Sequence, residues 1–282
     1  MKTIVLSSED ILSAYDCVNQ LYPYMPSLSH WRSWEYASYT KFFMSGKVLD
    51  LGCGDGNYFK LLWPQVPDTT GVDLDPNVAQ RAKQSGVYRN VHVAPAHNLP
   101  EAANQFDYVF ANCSLEHMDH LDDVLSEIYR CLKPGGRLLC SVVTDRFITW
   151  SLLPKFVHLA GFDEASGTLE DDFLEYHHLA NPLTPESWQA RFSQAGLIPQ
   201  VHIPILPKYN TGFFLLMDSL WHIQKKQGGE FGDIIFPFLS ANPSFPHGFR
   251  KVLEGLLHME TDWQDCSGAV FLAEKLDRKS VV

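Results

Sequence analysis

The sequence lacks the features that mark several protein classes. No cysteine pair has C-x-x-C spacing. The six cysteines (17, 53, 113, 131, 140 and 266) stand apart, several inside apolar runs such as LLCSVV. This argues against a disulfide scaffold or a thiol-based zinc module and predicts reduced, mostly buried thiols in a cytoplasmic protein. No long Lys/Arg cluster occurs, and the formal net charge is −11. Binding a nucleic-acid backbone needs a basic face, so no nucleic-acid partner is expected. The longest uncharged stretch, IIFPFLSANPSFPHGF at 234–249, is broken by three prolines. It cannot be a continuous membrane helix, and no membrane span is expected. The start, MKTIVLSSEDILSAYD, has too short an apolar run for a secretory signal and turns acidic at once. Repeats and low-complexity segments are absent.

What is present is a rhythm. The chain has 282 residues, 45% of them hydrophobic, enough to bury a real core. Residues 1–46 carry helical patterning with many aromatics, among them Trp31, Trp34, Tyr36 and Tyr39. From 47 to 143, apolar strands alternate with helices: KVLDLG, TTGVDLD, NVHVAP, FDYVFANC and RLLCSVV against NYFKLLWPQ, PNVAQRAKQSG and HLDDVLSEIYRCLKPGG. Alternation of this kind means βαβ units, hence a parallel sheet covered on both faces. After 144 the rhythm breaks. TPESWQARFSQAG still reads as a helix with a threonine cap and a terminal glycine. LIPQVHIPIL reads as a strand, its two prolines suggesting an edge, and GAVFLAEKL reads as the last strand. The expected architecture is α/β, a doubly wound, Rossmann-like, mostly parallel seven-stranded sheet with helices on both faces. An N-terminal helical cap spans 1–46. The core spans 47–282, with insertions at about 145–183 and 207–267.

The stretch VLDLGCGDG puts a G-x-G-x-G loop directly after a strand ending in Asp50. Glycines let backbone approach a ligand with no Cβ in the way. A dinucleotide fingerprint has different spacing and places a pyrophosphate on the helix N-terminus. Here Asp50 precedes the first glycine and Asp55 sits inside the loop. Two carboxylates repel a pyrophosphate and suit a cation. GVDLDP then places Asp73 at a strand's carboxyl end, about 20 residues on, where an acid can take both ribose hydroxyls. The ligand is expected to carry a ribose and positive charge. S-adenosylmethionine has a ribose, a sulfonium and an ammonium.

VLDLGCGDG, then GVDLDP, then FDYVFANCSLEHMDHLDDVLSEIYRCLKPGGRLL, resembles the class I S-adenosylmethionine-dependent methyltransferase family, in particular its small-molecule branch with a Leu-Glu-His segment after the fourth strand. The resemblance covers 47–143 well, and 184–206 and 268–276 loosely. It implies S-adenosylmethionine as cofactor. Asp50, Gly52, Cys53 and Gly54 would surround its methionine half. Asp73 would bind the ribose, and Leu74 would pack on the adenine. The acid that the family carries after the third strand falls here at Pro95, which leaves Ala96 and His97 to supply backbone contacts. Asn112, at the end of the fourth strand, would face the methionine moiety or the methyl group.

Methyl transfer is an in-line displacement at carbon, so alignment and exclusion of water carry most of the work. An oxygen or nitrogen nucleophile also needs a base, and histidine suits that role near neutral pH. The candidates are Glu116 and His117 in CSLEHMDH, with His117 favoured, and His177 and His178 in FLEYHHLANPLTP. Adjacent side chains diverge, so only one of the latter pair should point inward. His117 and His120 have a plausible metal spacing, but no cysteine or further ligand cluster is read beside them, and no metal is expected. The expected activity is methyl transfer to a small, lipophilic or aromatic metabolite. The rivals are a nucleic-acid or protein methyltransferase and a non-catalytic cofactor-binding module. The acidic balance, the segment NCSL where base methylases carry an Asn-Pro-Pro-Tyr-like one, and the single glutamate after the fourth strand speak against the first.

Overall fold

A computed structural model describes residues 1–226 and 228–276, which form eight strands and twelve α-helices. The strands are β1 (Lys2–Thr3), β2 (Lys47–Leu51), β3 (Asp68–Asp73), β4 (Asn90–Val93), β5 (Phe106–Asn112), β6 (Leu132–Val143), β7 (Leu197–Pro207) and β8 (Cys266–Lys275). The helices are α1 (Ser8–Val18), α2 (Pro26–Tyr39), α3 (Asn57–Leu62), α4 (Pro76–Ser85), α5 (Leu121–Cys131), α6 (Arg146–Thr149), α7 (Leu153–Leu159), α8 (Asp163–His177), α9 (Pro185–Gln194), α10 (Lys208–Trp221), α11 (Gly232–Ser240) and α12 (Phe245–Met259). Residue 227 in the second expected insertion and residues 277–282 of the expected core lie outside the described residues.

The strands form one sheet in the order β1-β7-β8-β6-β5-β2-β3-β4. Every pairing is parallel except those of β8 with β6 and β7. Val48, Leu49, Val109 and Phe110 are all buried, as parallel strands covered on both faces require. One face packs on α5 and α9 through Leu125, Ile128, Trp188 and Phe192. The other packs on α1, α2, α3 and α10 through Ile11, Trp34, Phe59 and Leu215. The order reverses at β2, which pairs with β3 on one side and β5 on the other. Ligands of such sheets bind outside the carboxyl ends of the strands at this reversal.

Local signals account for the helix ends. Asp75 accepts from Asn77 N and Val78 N, Pro76 occupies the first turn, and Gly86 closes α4 at φ +71°. Thr184 caps α9 by accepting from Ser187 N, and Gly196 follows its end at φ +84°.

Four expectations change. The eighth strand is β1, whose two residues pair with Val201 and His202 and are too few to show a period. Strand β7 is therefore next to the edge, but its Pro199 and Pro204 lie outside the stretch that β1 covers. Helix α5 ends at Cys131, and Lys133–Gly136 bulge out between the pairs Phe106–Leu132 and Tyr108–Arg137, with Gly135 at φ +77°. Finally, α2 is core as much as cap. Eleven of its residues are buried. Its Ser29, Ser33 and Ser38 hydroxyls donate to carbonyls three or four residues back, so small polar residues let the helix lie close. Trp34 and Tyr39 are almost fully buried. An indole of this kind removes roughly 150–250 Å² from water, about 4–6 kcal/mol at 25 cal/mol/Å². Among the described residues, no helix is long and apolar enough to cross a membrane.

Candidate active site

The chemistry is set at the carboxyl end of β2. Gly52, Gly54 and Gly56 all have positive φ, at 74°, 57° and 78°. A Cβ on Gly52 would stand 2.8 Å from Ser114 Cβ, and one on Gly56 2.5 Å from the Tyr88 ring, so neither position has room for a larger residue. The loop is pinned to β3 by Gly52 N and Cys53 N, which donate to Val72 O at 2.8 and 3.0 Å. Gly54 N donates to Asp73 Oδ2, and Asp75 N donates to Asp73 Oδ1, each at 3.0 Å. Each carboxylate oxygen keeps a lone pair for one more donor.

Asp50 is 2% exposed and accepts from the Tyr88 hydroxyl. Burial pushes its carboxyl up to about 7; the Tyr88 hydrogen bond opposes that shift and the Asp73 charge adds to it. A cation arriving beside it would favour the ionised form. Asp55 has another task. It accepts from Asn57 N and Nδ2, both at 2.9 Å, and so caps the entry to α3.

A cavity of about 520 Å³ lies over this loop. Gly52, Asp73, Leu74, Ala96 and His97 line it, along with Pro95. Asp50, Cys53, Gly54 and Asn112 do not. Asp50 stands behind the wall, and Cys53 turns its sulfur toward Gly71. Asn112 holds its amide oxygen on the Tyr39 hydroxyl at 2.8 Å. The cavity suits S-adenosylmethionine on three counts. A Cβ on Gly54, whose N–H is already held by Asp73, would meet open space, so there is room beside the loop for a ligand. Leu74 is 70% exposed, a bare apolar surface such as an adenine covers. Asp73 offers two acceptors to a pair of hydroxyls.

A second cavity, of about 330 Å³, adjoins the first. Cys113 and His117 line both. Aromatic rings stand in its wall, Trp31 from α2, Phe147 from α6, Tyr176 from α8, and Phe214 and Trp221 from α10, beside the polar Ser27, Arg32, Asp218 and His222. The paired histidines diverge as expected. His177 lines the second cavity, whereas His178, in a left-handed conformation at the end of α8, lines the first. The His178 carbonyl accepts from His117 Nδ1 at 3.3 Å.

Two clusters were not apparent in the sequence. Cys113 Sγ donates to Glu116 Oε1 at 2.9 Å, and His117 Nε2 lies 3.9 Å from the same oxygen. These three side chains converge within 4.8 Å, so the metal question turns on Cys113 and Glu116 rather than on the His117–His120 spacing. Burial raises the Cys113 thiol and the Glu116 carboxyl, which favours their protonated, mutually hydrogen-bonded state. Asn181 holds this turn by donating to the Leu115 and Met118 carbonyls. The second cluster centres on Asp218 of α10, 7% exposed. His177 Nε2 lies 3.1 Å from its Oδ2 and His222 Nε2 3.6 Å from its Oδ1, while His222 Nδ1 lies 3.0 Å from Glu230 Oε2. Burial alone would raise the Asp218 carboxyl, but the two imidazoles outweigh it and hold it at about 2. A carboxylate and a histidine one turn apart in the apolar run FFLLMDSLWHI were the available signal.

Comparison with known proteins agrees with this geometry. The family described as "Methyltransferase domain" matches residues 49–140. A demethylmenaquinone methyltransferase from Symbiobacterium thermophilum is 31% identical over 211 residues, 67% of this chain and 82% of that one. Among solved structures, a possible histamine N-methyltransferase from Thermotoga maritima superposes with a TM-score of 0.55 at 16% identity, covering 93% of this chain and 97% of that one. Geranyl diphosphate C-methyltransferase from Streptomyces coelicolor, in complex with Mg2+, geranyl diphosphate and S-adenosyl-L-homocysteine, gives 0.53 at 15% identity, covering 88% and 79%. At these identities the two structures speak for the fold alone. Sequence relationship, sheet order and cofactor cavity agree: the chain belongs to the class I S-adenosylmethionine-dependent methyltransferases.

Proposed function

We propose that the enzyme methylates a small, largely apolar and aromatic acceptor, bound in the 330 Å³ cavity. The observation that carries this reading is the shared wall: Cys113 and His117 line both cavities, so an acceptor in one meets the cofactor's methyl in the other. S-adenosylmethionine supplies a methyl group already activated by its sulfonium. The residues of this chain bind, orient and exclude water. Trp31, Phe147 and Phe214 would hold a ring in place and keep the site dry. Asp73 would hold the ribose and Leu74 the adenine, while Gly52 and Gly54, which carry no side chains, would leave room for the methionine half. Asp50 would meet the ammonium from behind the loop, and Cys53, Ala96, His97 and Asn112 would shape the remaining contacts. His117 and His177 stand on the acceptor side as candidate bases, and His178 on the cofactor side.

The stretches 145–183 and 207–267, with α2, supply the walls of the acceptor cavity, which supports reading them as acceptor-binding insertions on a core that begins at 47. The relative named for demethylmenaquinone fits a lipophilic acceptor. The net charge of −11 disfavours a nucleic acid. Incubation with radiolabelled methyl donor, a panel of phenols, quinols and aromatic amines, and competing RNA and protein tests the reading. Label should appear in the small organic fraction. Label confined to RNA or protein would overturn it.

A further inference from the structure

We propose that His177 takes the acceptor's proton and that Asp218 is the positioning residue that holds His177 for this step. The proposal rests on the reading that a small acceptor fills the 330 Å³ cavity, and it deepens it: the nucleophile is a hydroxyl or another proton-bearing heteroatom.

The geometry carries this. His177 sits on the last turn of α8 and Asp218 on the last turn of α10, so the contact exists only where the two helices meet. Nε2 of His177 lies 3.1 Å from Asp218 Oδ2. The imidazole is boxed by the rings of Phe173, Phe147 and Tyr176, with centroids at 4.5, 5.0 and 5.1 Å, which fix its plane. Nδ1 makes no hydrogen bond among the described residues and is not sealed from solvent, and the residue lines the acceptor cavity. Asp218 Oδ2 is buried without an aligned hydrogen-bond partner, so a turn of the imidazole that aims Nε2–H at it would satisfy that oxygen and leave the Nδ1 lone pair to the acceptor. Asp218 is itself held by His222, over which Tyr176 stacks at 3.8 Å and beside which Glu230 stands at 3.0 Å. The groups around His177 are therefore Asp218 on α10, His222 just past its end, Glu230 beyond it and Tyr176 on its own helix, with Arg32 and His117 elsewhere on the cavity wall. His117 is the weaker contender. Its Nδ1 has only a neutral carbonyl for a partner, and its side chain is 37% exposed to water.

The step balances. The acceptor oxygen uses an electron pair to form the bond to the methyl carbon. The pair of the methyl–sulfur bond stays on sulfur, which loses its charge. The acceptor's proton passes to His177 Nδ1, and the imidazolium is balanced by Asp218.

The test has two arms. In the first, histidines are labelled with 15N, and NMR of the enzyme bound to S-adenosylhomocysteine reads the tautomer with no acceptor present. Wild type should hold His177 as the Nε2–H form, and Asp218→Asn should lose that preference while keeping its affinity for S-adenosylhomocysteine. A wild-type Nδ1–H form, or a tautomer unchanged in the variant, overturns the positioning role. In the second, with an acceptor from the labelled-methyl screen, Asp218→Asn and His177→Gly should lower kcat about 100-fold or more with KM within about threefold. Free imidazole should restore part of the His177→Gly loss. Full kcat in both variants, or no rescue, overturns the base. If no small acceptor is methylated, it is the proposed function that fails, and the first arm still decides the positioning.

Discussion

Replacing Asp73 with alanine tests the cofactor cavity most directly. The carboxylate already accepts Gly54 N on Oδ2 and Asp75 N on Oδ1, leaving one lone pair on each oxygen. Two ribose hydroxyls can use them, and the variant loses both bonds. A hydrogen bond to a charged group is worth about 1.5–3 kcal/mol where the site is closed. Here the neighbouring Leu74 is 70% exposed, so water replaces part of each lost bond. The net loss should be about 1–3 kcal/mol, which weakens S-adenosylhomocysteine about 5- to 150-fold. The fold should survive, because Asp73 is the last residue of β3 and the two amides it releases lie at the cavity surface. Isothermal calorimetry on the variant, with a melting curve to confirm folding, makes the measurement. A folded Asp73→Ala protein with unchanged affinity would refute the assignment of Asp73 to the ribose.

The Asp50 carboxyl, held up at about 7 against 3.8 in the unfolded chain, binds its proton more tightly when folded. Its stabilising share is full below about pH 4 and is lost as pH rises through 7. The ligand-free melting temperature should therefore decline less between pH 4 and 7 in Asp50→Asn than in wild type. Affinity for S-adenosylhomocysteine should rise toward pH 7 only in wild type, as Asp50 ionises to meet the ammonium; parallel profiles would contradict this. Gly52→Ala should abolish cofactor binding, since φ +74° and a Cβ 2.8 Å from Ser114 Cβ both force the loop to move; calorimetry showing normal binding would count against it. Trp188→Ala should cost about 3–5 kcal/mol in urea unfolding, through a lost buried indole and its hydrogen bond to Val143 O, with cofactor affinity little changed in protein that remains folded.

The parallel half of the sheet was legible because strands buried on both faces read as plain apolar runs. Asp75, Pro76 and Gly86 then marked the helix between them by local chemistry alone. The cofactor cavity was legible for a related reason. Gly52 and Asp73 sit at strand ends, where sequence position and spatial position coincide. The acceptor cavity was not. Its residues come from α2, α6, α8 and α10, brought together only by packing. Nothing near Asp50 points to Tyr88, 38 positions away. The pair His177–His178 could be read as divergent, but which residue meets Asp218 depends on where α10 lies. The aromatic, helical pattern of residues 1–46 suggested a cap, whereas Trp34 and Tyr39 fill the core and only one part of α2, including Trp31 and Arg32, reaches the acceptor cavity.

Helix α8 buries a single residue of its fifteen, Phe173. An element with so little buried surface opens at small cost compared with the sheet. Yet its last residue, His177, and the residue that follows, His178, belong to different chambers. One swing of this helix would thus unlatch both rooms together. Discharge of the spent cofactor and entry of the next acceptor would then share a single door.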